Sequence, residues 1–216
     1  MADTATIASL ATAGGTLVLA VATFSSTRSA NRAARVSEET LKVGLRPVLF
    51  NARPQDPPQE VSFADGHSVR LRDGLAVVQV HDERIYLAMA LRNVAQGLAI
   101  VHGWHLTPGP LALSVAPAPA DEFRGQTRDL YIPASDVSFW QAAIRDATDP
   151  LYAPVMAAIP EGSGITIDLL YGDHEGGQRT VTRFFLAPRR EVADREPWMW
   201  RNNVGRHWNL DRDDPR

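Results

Sequence analysis

The distribution of apolar and polar positions divides the chain in two. From Thr4 to Thr27 no residue carries a charge, and the centre of that run, Ile7 to Phe24, is a near-continuous series of Ala, Leu, Val, Ile, Gly and Thr. A helix rises about 1.5 Å per residue, so roughly 20 residues cross a hydrocarbon core of about 30 Å. The run predicts one transmembrane helix. Ile7, Leu10, Leu17, Val18, Leu19, Val21 and Phe24 each favour insertion by about 0.3–0.6 kcal/mol, on the order of 2–4 kcal/mol together, partly offset by Ser, Thr and Gly. Ala20-Val-Ala22 resembles a signal-peptide cleavage site, yet the chain starts Met1-Ala-Asp3 without a basic n-region. The positive residues lie on the other side, as Arg28, Arg32 and Arg35, continued by Lys42 and Arg46. That asymmetry predicts a retained anchor over residues 1–27, with the N-terminus outside and the rest cytoplasmic.

Small residues recur at helical spacing inside the anchor: Ala8, Thr12, Thr16 and Ala20, and Ala11 before Gly15. Such rows allow helices to approach closely in lipid, so a homodimer is one expectation, and alanine-rich composition is the plainer explanation of the same rows. Residues 28–46 predict a juxtamembrane helix. Ala30, Ala33, Ala34, Leu41 and Leu45 form a weak stripe, Glu38 and Lys42 are an i, i+4 pair, and Gly44 and Pro47 end it.

From Pro47 the period changes to two. Val48-Leu-Phe50 opens the domain, and short segments then predict strands at Val61–Phe63, Ser68–Arg72, Ala76–Val80, Ile85–Asn93 and Ala99–Leu106, with turns at Ala64-Asp-Gly66, Asp73-Gly74 and Asp82-Glu-Arg84. The clearest is Ile85–Asn93: Ile85, Leu87, Met89 and Leu91 share one face, Tyr86 and Arg92 the other. Arg53-Pro-Gln-Asp-Pro-Pro58 reads as a proline-locked loop, and Thr107 to Ala120 as another loop. Asp129–Ile132, Ile165–Tyr171 and Thr180–Leu186 complete about eight strands. Ser135 or Asp136 can cap a helix to about Arg145, and Asp149-Pro150 signals a second, weakened by Pro154. The expected fold is therefore mainly β: a domain over 47–190 built as an antiparallel, Ig-like β-sandwich with a small helical insertion near 135–159. Residues 191–216 form an aromatic tail whose rings, Trp198, Trp200 and Trp208, either dock on the sandwich or await a partner.

Composition removes several classes of chemistry. Without cysteine there are no disulfides, thiolate zinc sites or Cys nucleophile. The net charge of −3 supplies no bulk field for nucleic acid. Arginine dominates the basic residues, Lys42 being the only lysine, alongside heavy Ala, Gly, Pro and Asp use of the kind a GC-rich genome encodes.

Three polar groups invite a site. His102 and His105 stand three apart in a strand, on opposite faces unless a bulge at Gly103 re-aims one. Asp173-His174-Glu175 offers ligands at a glycine-rich turn, but needs His102 or His207 nearby to complete three. Asp168 lies among apolar neighbours and either faces an open side or pairs with an arginine. Ser163, between two glycines, reads as loop. No nucleophile elbow, phosphate loop, dinucleotide fingerprint or zinc-protease helix occurs in the chain. No catalytic, cofactor or metal residue is assigned.

Several phrases resemble those of uncharacterised single-span membrane proteins from actinobacteria: Ser29-Ala-Asn-Arg-Ala-Ala-Arg35, Leu91-Arg-Asn-Val94 with Gly97, His102-Gly-Trp-His105, Arg128-Asp-Leu-Tyr-Ile132, Phe139-Trp140, Tyr171-Gly-Asp-His-Glu-Gly-Gly177 and Arg206-His-Trp-Asn-Leu210. The resemblance covers nearly the whole chain and implies an anchor, a helix and a β-rich domain, without an activity. The expected function is a non-enzymatic, bitopic membrane protein presenting a cytoplasmic domain for protein interaction or assembly. The alternatives are an enzyme or small-ligand receptor with a His/Asp/Glu pocket, and an exported envelope-binding sandwich.

Overall fold

The computed structural model of the chain describes residues 3–109, 116–189, 196 and 198–213, with backbone alone for 4–13. It separates into two units, 1–44 and 45–216. The first is one helix, α1 (Asp3–Gly44), so the predicted span and the juxtamembrane segment are continuous. Half of the small-residue positions, Ala8, Ala11 and Thr12, fall in 4–13 and lie outside the described side chains.

The second unit is mainly antiparallel β. In chain order its elements are β1 (Leu49–Asn51), β2 (Gln59–Ser62), β3 (Ser68–Leu71), β4 (Ala76–His81), β5 (Arg84–Asn93), β6 (Ala99–Pro108), β7 (Arg124–Ile132), β8 (Val137–Ile144), α2 (Tyr152–Glu161), β9 (Ile165–Gly172), β10 (Arg179–Pro188) and β11 (Met199–Asn209). Hydrogen bonding runs β8-β5, then β4 and β1 on the other edge of β5, and onward β4-β11-β10-β9-β6-β7. Among the described residues this is one continuous nine-stranded sheet, with β2-β3 as a separate two-stranded one. A division into two large facing sheets, as an Ig-like sandwich requires, is not confirmed. Instead β7 and β8, at the two ends of the ladder, come side by side, and Gln126 Nε2 donates to the Gln141 carbonyl at 3.4 Å.

The curled sheet encloses one core. Leu87, Met89, Trp140, Tyr171, Phe184 and Trp200 are all fully buried there. The alternation in β5 is as predicted, but its second face is not open: Tyr86, Ala88 and Ala90 pack under the β2-β3 hairpin with Val61, Phe63 and Leu71. At Asp82 and Glu83 the β4-β5 turn takes two consecutive positive φ values, 48° and 57°, the mirror-image turn that matches strand twist.

Two expectations need correction. The helix predicted from Ser135 to Arg145 is strand β8. Its pattern is period two, with Trp140, Ala142 and Ile144 buried, and it pairs with β5 from Ile85↔Ile144 to Arg92↔Val137. Eight cross-strand pairs and a buried Trp outweigh the modest helix preference of two alanines. Ser135 sits in the turn with φ 57° and caps nothing. The second predicted helix exists as α2: Asp149 Oδ1 accepts the Leu151 N–H at 2.9 Å, and Gly162 ends it at φ 63°. Pro154 is tolerated in the first turn, where its missing N–H has no helical partner to lose. The second correction concerns the tail: Trp200 and Trp208 do dock on the domain, but as part of its sheet and not as a separate tail. Residues 199–209 form β11, an interior strand paired along β10 from Thr180↔Asn209 to Pro188↔Trp200 and touching β4 at Met199↔Val77.

Candidate functional site

The exposed face of α1 is the most unusual surface of the chain. Leu17, Val18, Leu19, Val21 and Phe24 are 67%, 68%, 69%, 61% and 69% exposed. At about 100° per residue they point to roughly 0°, 100°, 200°, 40° and 340°; with Ala20 near 300° and Ala22 near 140° between them, apolar side chains ring the helix, the larger ones on its 340–100° side. Two hydroxyls just past this stretch turn back into the helix: Ser25 Oγ donates to the Ala22 carbonyl and Thr27 Oγ1 to the Thr23 carbonyl, both at 2.9 Å. Beyond them come Arg28, Arg32 and Arg35, all exposed, then the Glu38–Lys42 pair at 2.6 Å. Among the described residues no helix is long and apolar enough to cross a membrane, and the side chains of 4–13, which carry the first part of the expected Ile7–Phe24 span, lie outside them.

In the β unit, the chain segment that follows the helix is tied down by polar contacts. Arg46, expected to extend the basic flank, is buried instead. Its Nη1 donates to Thr180 Oγ1 at 3.2 Å, Asn209 Oδ1 at 3.1 Å and Asp211 Oδ1 at 3.0 Å, and its Nη2 reaches Asp211 Oδ2. Next to it the Leu49 N–H donates to Tyr171 Oη at 3.1 Å. Tyr171 Oη then meets Thr182 Oγ1 at 2.8 Å, and Thr182 Oγ1 meets His207 Nδ1 at 2.7 Å. Asn93 serves the same segment: its Oδ1 accepts Val48 N–H at 3.4 Å, while its Nδ2 donates to the carbonyls of Gly97 at 2.6 Å and Ile132 at 3.2 Å.

Burial pushes the Tyr171 phenol up to about 12, against the opposing pull of the Leu49 N–H, Thr182 and Arg46. The ordinary value near 10 applies to the unfolded chain. The fold therefore favours the neutral phenol, and this contribution is complete below pH about 10 and lost as pH rises through about 12. We expect the β unit to lose roughly 2–3 kcal/mol across that window. Urea denaturation at stepped alkaline pH checks this. Tyr171→Phe should start less stable and lack this part of the slope, whereas parallel slopes in the two proteins would contradict it.

Asp168 pairs with an arginine, one of the two settings expected for it. Arg183 stands opposite it across β9 and β10 and donates from Nε to Oδ1 and from Nη2 to Oδ2, both at 2.7 Å. The carboxylate is 2% exposed and also accepts the Ala118 N–H at 3.2 Å. The guanidinium lies 4.9 Å from the centre of the Trp208 ring and reaches the Ala116 carbonyl. This is a saturated structural pair, with both carboxylate oxygens engaged.

The remaining candidates do not converge. A bulge does fall between Val101 and Gly103, and it lets Val101 and Trp104 both point inward. His102 remains exposed at the surface beside Gly172, where partial burial and then Arg179 lower its pKa. His105 Nε2 lies 3.4 Å from Glu122. His174 and Glu175 are exposed at the β9-β10 tip, whose Asp173 Oδ1 accepts the Gly177 and Gln178 N–H groups at 2.9 and 3.2 Å. His207 belongs to the Tyr171–Thr182 chain. Ser163 Oγ contacts the Ala158 carbonyl at 3.4 Å, at the end of α2. Among the described residues no group of three His, Asp or Glu side chains is placed to hold a metal ion.

Sequence reasoning passed over two clusters. Asp65 accepts from Tyr86 Oη at 2.8 Å and Arg145 Nε at 2.8 Å, with Arg84 at 3.5 Å, and Arg145 holds its carboxyl well below the usual range. Asp56 caps Arg53 N–H at 2.7 Å and clasps Arg92 with both oxygens, which explains the shape of the proline-rich loop. A groove of about 490 Å³ opens where β7 and β8 face each other, floored by Trp104 and bordered by Arg124, Arg128 and Arg145. Arg124 is already held by both oxygens of Asp149, at 2.6 and 2.7 Å. Compared with known proteins, the chain matches no family model, no curated protein and no solved structure.

Proposed function

We propose that this chain is a single-span membrane protein, crossing at about Ile7 to Phe24 with its N-terminus outside, that holds a β domain at the cytoplasmic surface for protein interaction or assembly. The observation that carries it is the ring of exposed apolar side chains from Leu17 to Phe24, bounded by arginines. A helix apolar all round belongs in a protein interior or a bilayer, and contiguous apolar surface of this kind marks a site that something covers. The internally satisfied Ser25 and Thr27 hydroxyls suit hydrocarbon, where unpaired polar groups are costly. The resemblance to single-span proteins of actinobacteria points the same way, and a sandwich-like, Ig-type reading of the curled sheet with its hairpin belongs to this proposal. The domain's polar side chains are largely consumed by structural pairs, which supports a binding module over an enzyme.

Fractionation of cells expressing the full chain tests the anchor. The protein is expected in the membrane pellet after alkaline carbonate, and a reporter fused after Arg216 is expected to be active only in the cytoplasm. Release into the soluble fraction would refute the anchor, and a reporter active only outside would favour an exported domain.

A further inference from the structure

We infer that Arg28, Arg32 and Arg35 form a stripe that binds anionic phospholipid headgroups, so the lipid partner of this helix is a negatively charged leaflet. The inference rests on the anchor proposed above and adds the chemistry of the surface that receives it. Spacings of four and three set the three arginines within about 60° of arc, one above another on the helix. All three are exposed, and no acidic residue stands between Asp3 and Glu38. Phe24, 69% exposed, precedes Arg28 by one turn on the same face and is the last apolar side chain before the arginines.

Positive charge is confined to this short stretch. Past it, Glu38 and Glu39 appear together and Lys42 is held by Glu38 at 2.6 Å, so the helix no longer carries a uniform sign. From Arg28 to Arg35 the helix rises roughly 10 Å, so the stretch begins in the headgroup layer, about 5–8 Å deep on each side of the hydrocarbon, and ends within a Debye length of its outer surface. Guanidinium groups fork onto phosphate oxygens with paired hydrogen bonds, and their long stems lie along apolar surface while the head stays in the polar layer. The attraction fades within a Debye length of about 8–10 Å, which again selects residues directly beside the bilayer.

The test uses the full chain reconstituted into phosphatidylcholine vesicles containing a minor fraction of phosphatidylglycerol. After gentle re-extraction, the lipids that remain bound are quantified by mass spectrometry. Wild type is expected to retain phosphatidylglycerol over phosphatidylcholine at least about fivefold above the bulk ratio, the factor that one interfacial basic residue supplies. The triple variant R28Q/R32Q/R35Q should fall to near the bulk ratio with the β unit's thermal melt unchanged, and R28K/R32K/R35K should keep most of the enrichment. Wild-type lipids at the bulk ratio, or enrichment that survives in the Gln variant, would overturn the inference while leaving the anchor intact. Failure of the chain to enter the vesicles would overturn the anchor itself, and this stripe with it.

Discussion

Asp168→Ala is expected to destabilise the β unit by roughly 3–5 kcal/mol, because it removes one half of a buried ion pair. The carboxylate is 2% exposed and the guanidinium side chain 8% exposed, so water cannot replace the lost partner without opening the structure. What remains is the positive charge of Arg183 beside the Trp208 ring and the Ala116 carbonyl, neither of which carries a full negative charge. The contact with the aromatic face is present in the wild type as well, so it does not offset the loss. The double variant Asp168→Leu with Arg183→Met should be much closer to wild type, because burying two apolar groups of similar size avoids the desolvation that the pair must overcome. Urea denaturation of the single and double variants separates the two cases. A single variant within about 1 kcal/mol of wild type would mean that the pair is solvated in practice.

The strands legible in the sequence were those whose two faces see different surroundings or whose turns are chemically marked. Ile85 to Leu91 alternates cleanly, and the β4-β5 turn was marked by Asp82 and Glu83. Strand β11 was not legible, for a local reason. Between Trp200 and Trp208 it carries Arg201, Asn202, Asn203, Gly205 and Arg206, and the register along β10 slips between Thr182 and Phe184, so no alternation survives. Asn202 is buried there because its Nδ2 donates to the Ala90 carbonyl at 3.0 Å, a partner 112 positions away. Strand β8 was hidden differently, since Gln141-Ala-Ala-Ile144 suits a helix until β5 supplies its cross-strand partners. At candidate sites the same limit applies. Either/or readings such as Asp168 with an arginine were available from residue types, but which arginine depended on the register of β9 and β10. Arg46 was read by its position beside the basic flank, whereas its burial depends on Asp211, 165 positions further on.

Gly97→Ala should cost the β unit about 3 kcal/mol or more, at the upper end of what one inserted methyl does in a tightly packed site. A Cβ at this position would stand 1.7 Å from the Leu45 carbonyl oxygen and 2.7 Å from its carbon, and both are backbone atoms that no rotamer change can move aside. Relief requires the 45–48 segment to retreat from the 93–97 turn. That segment is held by the Val94 N–H, which donates to the Val48 carbonyl at 2.9 Å, by Asn93 from within the turn, and by Arg46, which binds Thr180, Asn209 and Asp211. Any retreat therefore weakens several polar contacts together, including the burial of the Arg46–Asp211 pair. The sequence marks Gly97 only as the end of a break after β5, yet the geometry makes it the point where the chain leaving α1 meets the domain's own turn. Gly125→Ala is the matched control, since nothing lies within 4 Å of the Cβ it would add and no strained φ is needed there. Thermal melts of the full chain in detergent should show Gly125→Ala within about 0.5 kcal/mol of wild type and Gly97→Ala far below it. Equal melting of the two variants would show that the 45–48 segment yields freely, and that the contacts of Arg46 and Asn93 do not fix it to the domain.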